Sequence, residues 1–128
     1  MKHYLLLPED TLSLLPPQEG AGAAVSVFCE RTLMIFLCEK IEKIYLLKNV
    51  AEDRFHAVDC LAILARDALF AQQQELWIPV TRPDFAAFFA ALEKELPALF
   101  ASMREETYFR EACDETGTHL RAGKSPDA

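Results

Sequence analysis

Residues 49–74 read NVAEDRFHAVDCLAILARDALFAQQQ, and how this stretch folds decides the rest of the chain. Asn49 followed by Glu52 fits a helix N-cap and the residue that reaches back to it. Asp53 adds negative charge to a first turn, where the helix dipole favours it. No Gly or Pro follows until Pro79. At helical spacing Phe55, Val58, Ala62, Ala65 and Leu69 share one side, flanked by Leu61, Leu64 and Ala68. The spacing therefore predicts one long amphipathic helix over 50–74. Its other side holds Glu52, His56, Asp59, Arg66 and Asp67, with Ile63 and Phe70 among them. Those two apolar residues need a cover, from the same chain or from another molecule.

Upstream, residues 23–47 lack Gly and Pro but are dense in β-branched and aromatic residues, which predicts sheet. Glu30-Arg31 and Glu39-Lys40 divide them into strands at 24–29, 32–38 and 41–47, an antiparallel meander. The middle piece is apolar on both faces and reads as a central strand covered on both sides.

Further out, His3 to Leu7 could form a strand, and Pro8-Glu9-Asp10 resembles a first helical turn. Pro16-Pro17 and a loop with Gly20 and Gly22 follow, so residues 1–22 read as an N-terminal arm or an edge element. Leu76, Trp77, Ile78 and Val80 mark a short strand, placed near an edge because Pro79 has no N–H for a ladder. Thr81-Arg82-Pro83-Asp84 opens a long C-terminal helix carrying Phe85, Phe88, Phe89, Leu92 and Leu96, kinked or restarted at Pro97 and continuing to Cys113. The expected fold is α/β (α+β): meander, helix, short strand, kinked C-terminal helix. Residues 1–114 form one domain, and 115–128 a flexible tail. That element order resembles ribonuclease H-like and actin-like half-domains in topology alone.

The chain has 128 residues, 52% hydrophobic and 26% charged, which excludes a disordered protein. A formal charge of −7 disfavours nucleic acid and anionic membranes, both of which need clustered Lys and Arg. Cys29, Cys38, Cys60 and Cys113 form no CxxC pair. With no secretory signal visible, they read as reduced thiols in a cytoplasmic protein. The most apolar window, 23–38, contains Glu30 and Arg31 and is too short to span a bilayer.

His56 and Cys60 stand one helical turn apart with Asp59 beside them, a spacing that can present metal ligands or a thiol–imidazole pair. Further ligands at matching spacing are missing, and the neighbouring acids would raise the thiol pKa. A ribonuclease H-like metal site would need a carboxylate on the first meander strand, and 24–29 has none. Gly20-Ala21-Gly22 precedes a strand and lacks the Lys of a phosphate loop. No catalytic set, cofactor site or metal site is therefore assigned. Phe85, Phe88, Phe89 and Trp77 could line a ligand pocket, though aromatic clusters usually form core. What remains is a protein interface: His56, Ile63 and Phe70 recur one heptad apart along the predicted helix, and Tyr108 and Phe109 make a second patch. The expected function is a small acidic protein-binding module, such as a subunit, adaptor, inhibitor or immunity-type protein. It would be non-enzymatic and bind another protein or itself. The alternative is an enzyme with a diverged metal or thiol site around His56, Asp59 and Cys60.

Overall fold

The computed structural model describes residues 1–52, 55–110 and 122–124. The chain is mixed α+β and mostly sheet. In order it runs β1 (Lys2–Leu5), β2 (Thr11–Leu15), β3 (Ala24–Cys29), β4 (Thr32–Leu37), β5 (Ile41–Ala51), β6 (Ala57–Arg66), β7 (Gln73–Pro79), α1 (Phe85–Glu95), α2 (Pro97–Ala101), β8 (Glu105–Arg110) and β9 (Ala122–Lys124). A six-stranded sheet has the order β1-β7-β6-β5-β8-β9, and a three-stranded sheet the order β2-β3-β4.

The helix expected over 50–74 does not form. The same residues complete β5, turn, build β6, turn again and enter β7. Val58, Cys60 and Ala62 face one side of β6, and Leu61, Ile63 and Ala65 the other, all of them buried. A strand buried on both faces has no polar side, so its apolar run imitates a broad helical stripe. The Ala- and Leu-rich composition favours helix locally, but pairing with β5 and β7 along nearly its whole length overrides that preference. Asn49 is no helix cap. Its φ of 60° and the register shift between Leu47 and Val50 mark a bulge in β5, a conformation that Asn tolerates. The hairpin to β6 is closed by the Glu52 N–H donating to the His56 carbonyl at 2.9 Å.

The expected meander is also regrouped. β3 begins and ends where the sequence placed it, and β4 pairs with it antiparallel. β5 then leaves through a 3-10 turn at Cys38–Lys40 and joins the larger sheet beside β6. The third strand of the smaller sheet is β2. No helix starts at Pro8, because Asp10 closes a tight turn instead: its Oδ2 accepts from the Leu7 N–H at 2.7 Å, and its own N–H donates to the Leu7 carbonyl. β4, expected to be central, is an edge strand covered on one face only. Of the two roles open to the first residues, β1 takes that of an edge strand, parallel to β7. β7 itself lies one strand in from that edge, with Pro79 as its last residue.

α1 begins at Phe85, four residues after Thr81, with Asp84 at the N-cap position. The Asp84 carboxylate is taken by Arg82 at 2.9 Å and makes no cap hydrogen bond. Pro97 starts the separate helix α2, where its missing N–H costs nothing. Past Ala101 the expected helix gives way to β8, parallel to β5. With a strand where the crossover helix was expected, the ribonuclease H-like order is lost. Of the tail at 115–128, Ala122–Lys124 forms β9 against β8, and the rest lies outside the described residues, as does Cys113.

One face of the large sheet, through Ile44, Leu61, Ile63, Leu76 and Ile78, packs with the inner face of the small sheet and with Phe88, Leu92 and Phe100 of the helices. The opposite face gathers Tyr45, Leu47, Cys60, Ala62 and Trp77. This second face is concave. Trp77 on β7 and Tyr108 on β8 have two strands between them, roughly 14 Å in a flat sheet, yet their rings stand 5.8 Å apart.

Candidate protein-interaction face

The residues expected to form the interface are dispersed. Ile63 is 1% exposed, between Ile44 and Leu76 in the core. His56 is exposed on the β5–β6 hairpin. Phe70 is 59% exposed on the turn between β6 and β7. Tyr108 is half-buried edge-on against Trp77, and Phe109 lies opposite Gly123 in the β8–β9 pair. Without a helix at 50–74 no heptad row exists, and His56, Ile63 and Phe70 lie on a hairpin, in the core and on a turn respectively. Of the five expected interface residues, Phe70 is the one shown as a large exposed apolar side chain.

His56, Asp59 and Cys60 do not converge either. Asp59 and Cys60 are neighbours on a strand and point to opposite faces. The Asp59 carboxylate is occupied by Lys48 at 2.7 Å and by the Asn49 N–H at 3.0 Å. These contacts, the Lys48 hydrogen bond first, hold it below the usual carboxylate range. Burial pushes the Cys60 thiol up to about 12, with Glu52 and Asp59 adding to the shift. A thiol that resists ionisation is a poor nucleophile and metal ligand. Among the described residues no three His, Cys, Asp or Glu side chains are grouped to hold a metal ion. Nor do Phe85, Phe88, Phe89 and Trp77 share a pocket. Phe88 and its neighbours belong to the core between the sheets, and Trp77 to the concave face.

The outer face of the small sheet presents a different surface. Register aligns it in three rows across the strands: Thr11, Phe28 and Leu33; Ser13, Ser26 and Ile35; Leu15, Ala24 and Leu37. Alternation sends Leu12, Val25, Val27, Met34 and Phe36 inward, where all are buried. It leaves Phe28 50%, Leu33 45% and Leu15 39% exposed. None of the three rows contains a charged residue. The β6–β7 turn continues this surface past β4. Its Ala68 N–H donates to the Ile35 carbonyl at 2.7 Å, and Asp67 Oδ1 accepts from the Ile35 N–H at 3.3 Å. Asp67 Oδ1 also accepts from the Leu69 N–H at 2.9 Å, so this 1% exposed carboxylate fixes both the turn and the strand edge. Leu69, at 54% exposed, and Phe70 are thereby held beside β4.

The turn between β3 and β4 carries the second local oddity. Glu30 and Arg31 have φ of 50° and 60°, the backbone of a two-residue type I′ hairpin, which Asn-Gly adopts without strain. Beside it opens a cleft of about 630 Å3, lined by Lys2, Tyr4, Asp10, Glu30 and Arg31 among others. Lys2 and Glu30 pair across it at 3.4 Å.

The concave face of the large sheet holds polar groups that the sequence reading missed. The Tyr45 hydroxyl donates to Glu75 Oε1, and Trp77 Nε1 donates to the same oxygen at 2.7 Å. Glu75 is fully buried. Burial first, then the Glu75 carboxylate, holds the Tyr45 hydroxyl far above the usual phenol range, so it remains a donor. His3 stacks on Trp77 at 4.6 Å, and Lys43 Nζ sits 2.9 Å from Glu106 Oε1. A buried carboxylate with two aromatic donors organises a core as readily as it serves chemistry. The signal available beforehand was Glu75 and Trp77 sharing one face of a strand. No protein-family model matches this chain, and comparison with curated proteins and with solved structures gives no match.

Proposed function

We propose that this chain is a small acidic protein-binding module that uses the outer face of the small sheet as its contact surface. The observation that supports the reading is Phe28 and Leu33 exposed side by side, with Leu15 exposed two rows away, on a face whose rows carry no charge. Burying a large exposed apolar side chain is worth about 1.5–3 kcal/mol. A contiguous apolar surface is what partners cover. The turn carrying Leu69 and Phe70 extends the surface and gives it a firm border. The proposed compartment is the cytoplasm, and the reading is supported by Cys29, Cys38 and Cys60 being buried free thiols. No described helix is long and apolar enough to cross a membrane.

Phe28→Asp/Leu33→Asp tests the reading, because both sites are exposed and the fold should tolerate the charges. Molecular mass by light scattering and capture of a partner from the native cell should both differ between wild type and variant. If mass and captured protein are the same in both, the face is not an interface.

A further inference from the structure

We propose that the cleft between the start of β5, the end of β6 and the β6–β7 turn binds a small zwitterion, of the class of free α-amino acids with an apolar side chain. This site lies apart from the outer rows of the small sheet and does not depend on the protein-binding reading.

Asp67 gives the first argument. Its side chain is 1% exposed and borders a cleft of about 460 Å3. Oδ1 accepts from the Ile35 N–H at 3.3 Å and from the Leu69 N–H at 2.9 Å. Oδ2 is buried and accepts no hydrogen bond from any described residue. A buried carboxylate oxygen without a donor is costly, and holding the turn needs one oxygen only. The second oxygen therefore suits a donor that arrives from the cleft, and a charged one makes the strongest bond. An oxygen so nearly covered admits a compact ammonium and keeps out the wider guanidinium or imidazole.

Charge balance gives the second argument. Lys40, Glu42, Arg66 and Asp67 all line the cleft, two cations against two carboxylates. A bare anion or a metal cation would meet repulsion from one pair, whereas a ligand carrying both signs satisfies both. Glu42 accepts from Gln73 Nε2 at 2.6 Å, which keeps its carboxylate on the cleft wall. Arg66 donates Nη1 to the Ala71 carbonyl at 2.7 Å and keeps its other donors for a carboxylate. Lys40 makes no ion pair among the described residues.

Shape gives the third. The remaining lining is Leu37, Ala68 and Ala71, apolar and mostly short, which leaves room for an aliphatic side chain. The volume falls in the range of small-molecule sites, about 300–1,000 Å3. The turn is fixed beforehand: the Asp67 N–H donates to the Gln72 carbonyl at 2.8 Å, and the Ala71 N–H to the Asp67 carbonyl at 2.7 Å. Ala71 is held at a φ of 57°, a left-handed angle that a residue with a Cβ adopts at a cost.

Thermal denaturation of the full chain with each of the common L-α-amino acids at about 10 mM tests the proposal. L-leucine should raise Tm by about 5 °C or more, and the amino acids with charged side chains by less. Calorimetric titration with L-leucine should give a Kd between about 10 μM and 1 mM. L-leucinamide lacks the carboxylate and 4-methylpentanoate lacks the ammonium, so each should bind at least about tenfold more weakly. Asp67→Asn keeps one oxygen for Ile35 and Leu69 and should weaken L-leucine by about tenfold or more. Lys40→Ala/Arg66→Gln should weaken it similarly, and Ala68→Phe should block the cleft. These last sites are exposed, so they carry the test if Asp67→Asn fails to fold; circular dichroism reports folding in each case. The proposal is overturned if no amino acid moves Tm, or if L-leucine binds Lys40→Ala/Arg66→Gln and Ala68→Phe as it binds wild type. Equal affinity for L-leucinamide overturns the zwitterion class. A larger Tm shift from an amino acid with a charged side chain overturns the apolar side chain.

Discussion

The two sheets of this chain are made from similar residues and end in opposite situations. In the large sheet, β6 has apolar residues on both faces, and both are buried. In the small sheet, β4 is equally apolar on both faces, and only the side carrying Met34 and Phe36 is buried. The difference comes from what each strand has beside it. β6 is paired on both edges, faces the second layer on one side and lies inside the concavity on the other. β4 is paired on one edge, and its outward row has no described element over it. Apolar residues in β6 stabilise the fold. The outward ones in β4 add little to the monomer, and association is what would bury them.

Mutations that put the same charge into each sheet break or sharpen this contrast. Ile63→Asp should unfold the chain. It buries an uncompensated carboxylate where the native side chain is 1% exposed, a loss of about 4 kcal/mol or more. Phe28→Asp should cost the monomer less, about 1–2 kcal/mol, because the side chain is already half exposed and the loss is that of its remaining burial and of strand propensity. Urea denaturation of dilute protein measures both. Equal losses at the two sites would mean that the outer face is covered after all.

Glu75→Ala comes next in size. It leaves the Tyr45 hydroxyl and the Trp77 indole N–H buried without their shared acceptor, which should cost about 3 kcal/mol. Near-ultraviolet circular dichroism should lose the Tyr and Trp signal at the same time. A neutral Glu75→Ala would show that the cluster does not hold the concave face together.

Asp67→Ala should cost less, about 1–2 kcal/mol, because it releases two backbone donors, at Ile35 and Leu69. Amide hydrogen exchange should rise at those two positions and at Ala68 more than in β6. The large sheet would stay closed while the border of the outer face loosens. Uniform exchange through both sheets would instead make Asp67 part of the global core.

Strand β3 was legible from end to end, because β-branched Val25 and Val27 stand with Phe28 and Glu30-Arg31 interrupts at the right place. The body of α1 was legible through Phe85, Phe88 and Leu92, although its cap was set at Thr81 and not at Asp84. β6 was not legible. Its alanines and leucines repeat at helical spacing by accident, and Asn49 with Glu52 copies a cap while serving a bulge and a hairpin. Nothing local in that stretch reveals that both of its sides will be buried. The same limit hid the candidate face. Leu33, Ile35 and Leu37 were read as apolar on a covered central strand, yet whether a strand is central depends on which sheet its successor joins. β5 leaves after Cys38–Lys40 to pair with β6, the strand that follows it, and with β8 much later in the chain. The buried Glu75 was hidden for the same reason, since its donor Tyr45 lies on another strand.

The smallest effect concerns the hinge of the small sheet. Glu30 and Arg31 both take left-handed backbone angles, which side chains with a Cβ adopt at a cost. Glu30→Asn/Arg31→Gly supplies the pair that a type I′ turn prefers and should stabilise the monomer by about 1 kcal/mol. The exchange also removes the Glu30 partner of Lys2 at the cleft, an exposed pair worth little. If the tight turn only joins β3 to β4, the gain in Tm should come with unchanged partner capture, because neither residue belongs to the outward rows. Should the variant gain stability and lose association, the hairpin tip would belong to the contact surface, and the face would extend past Phe28 and Leu33 onto the turn.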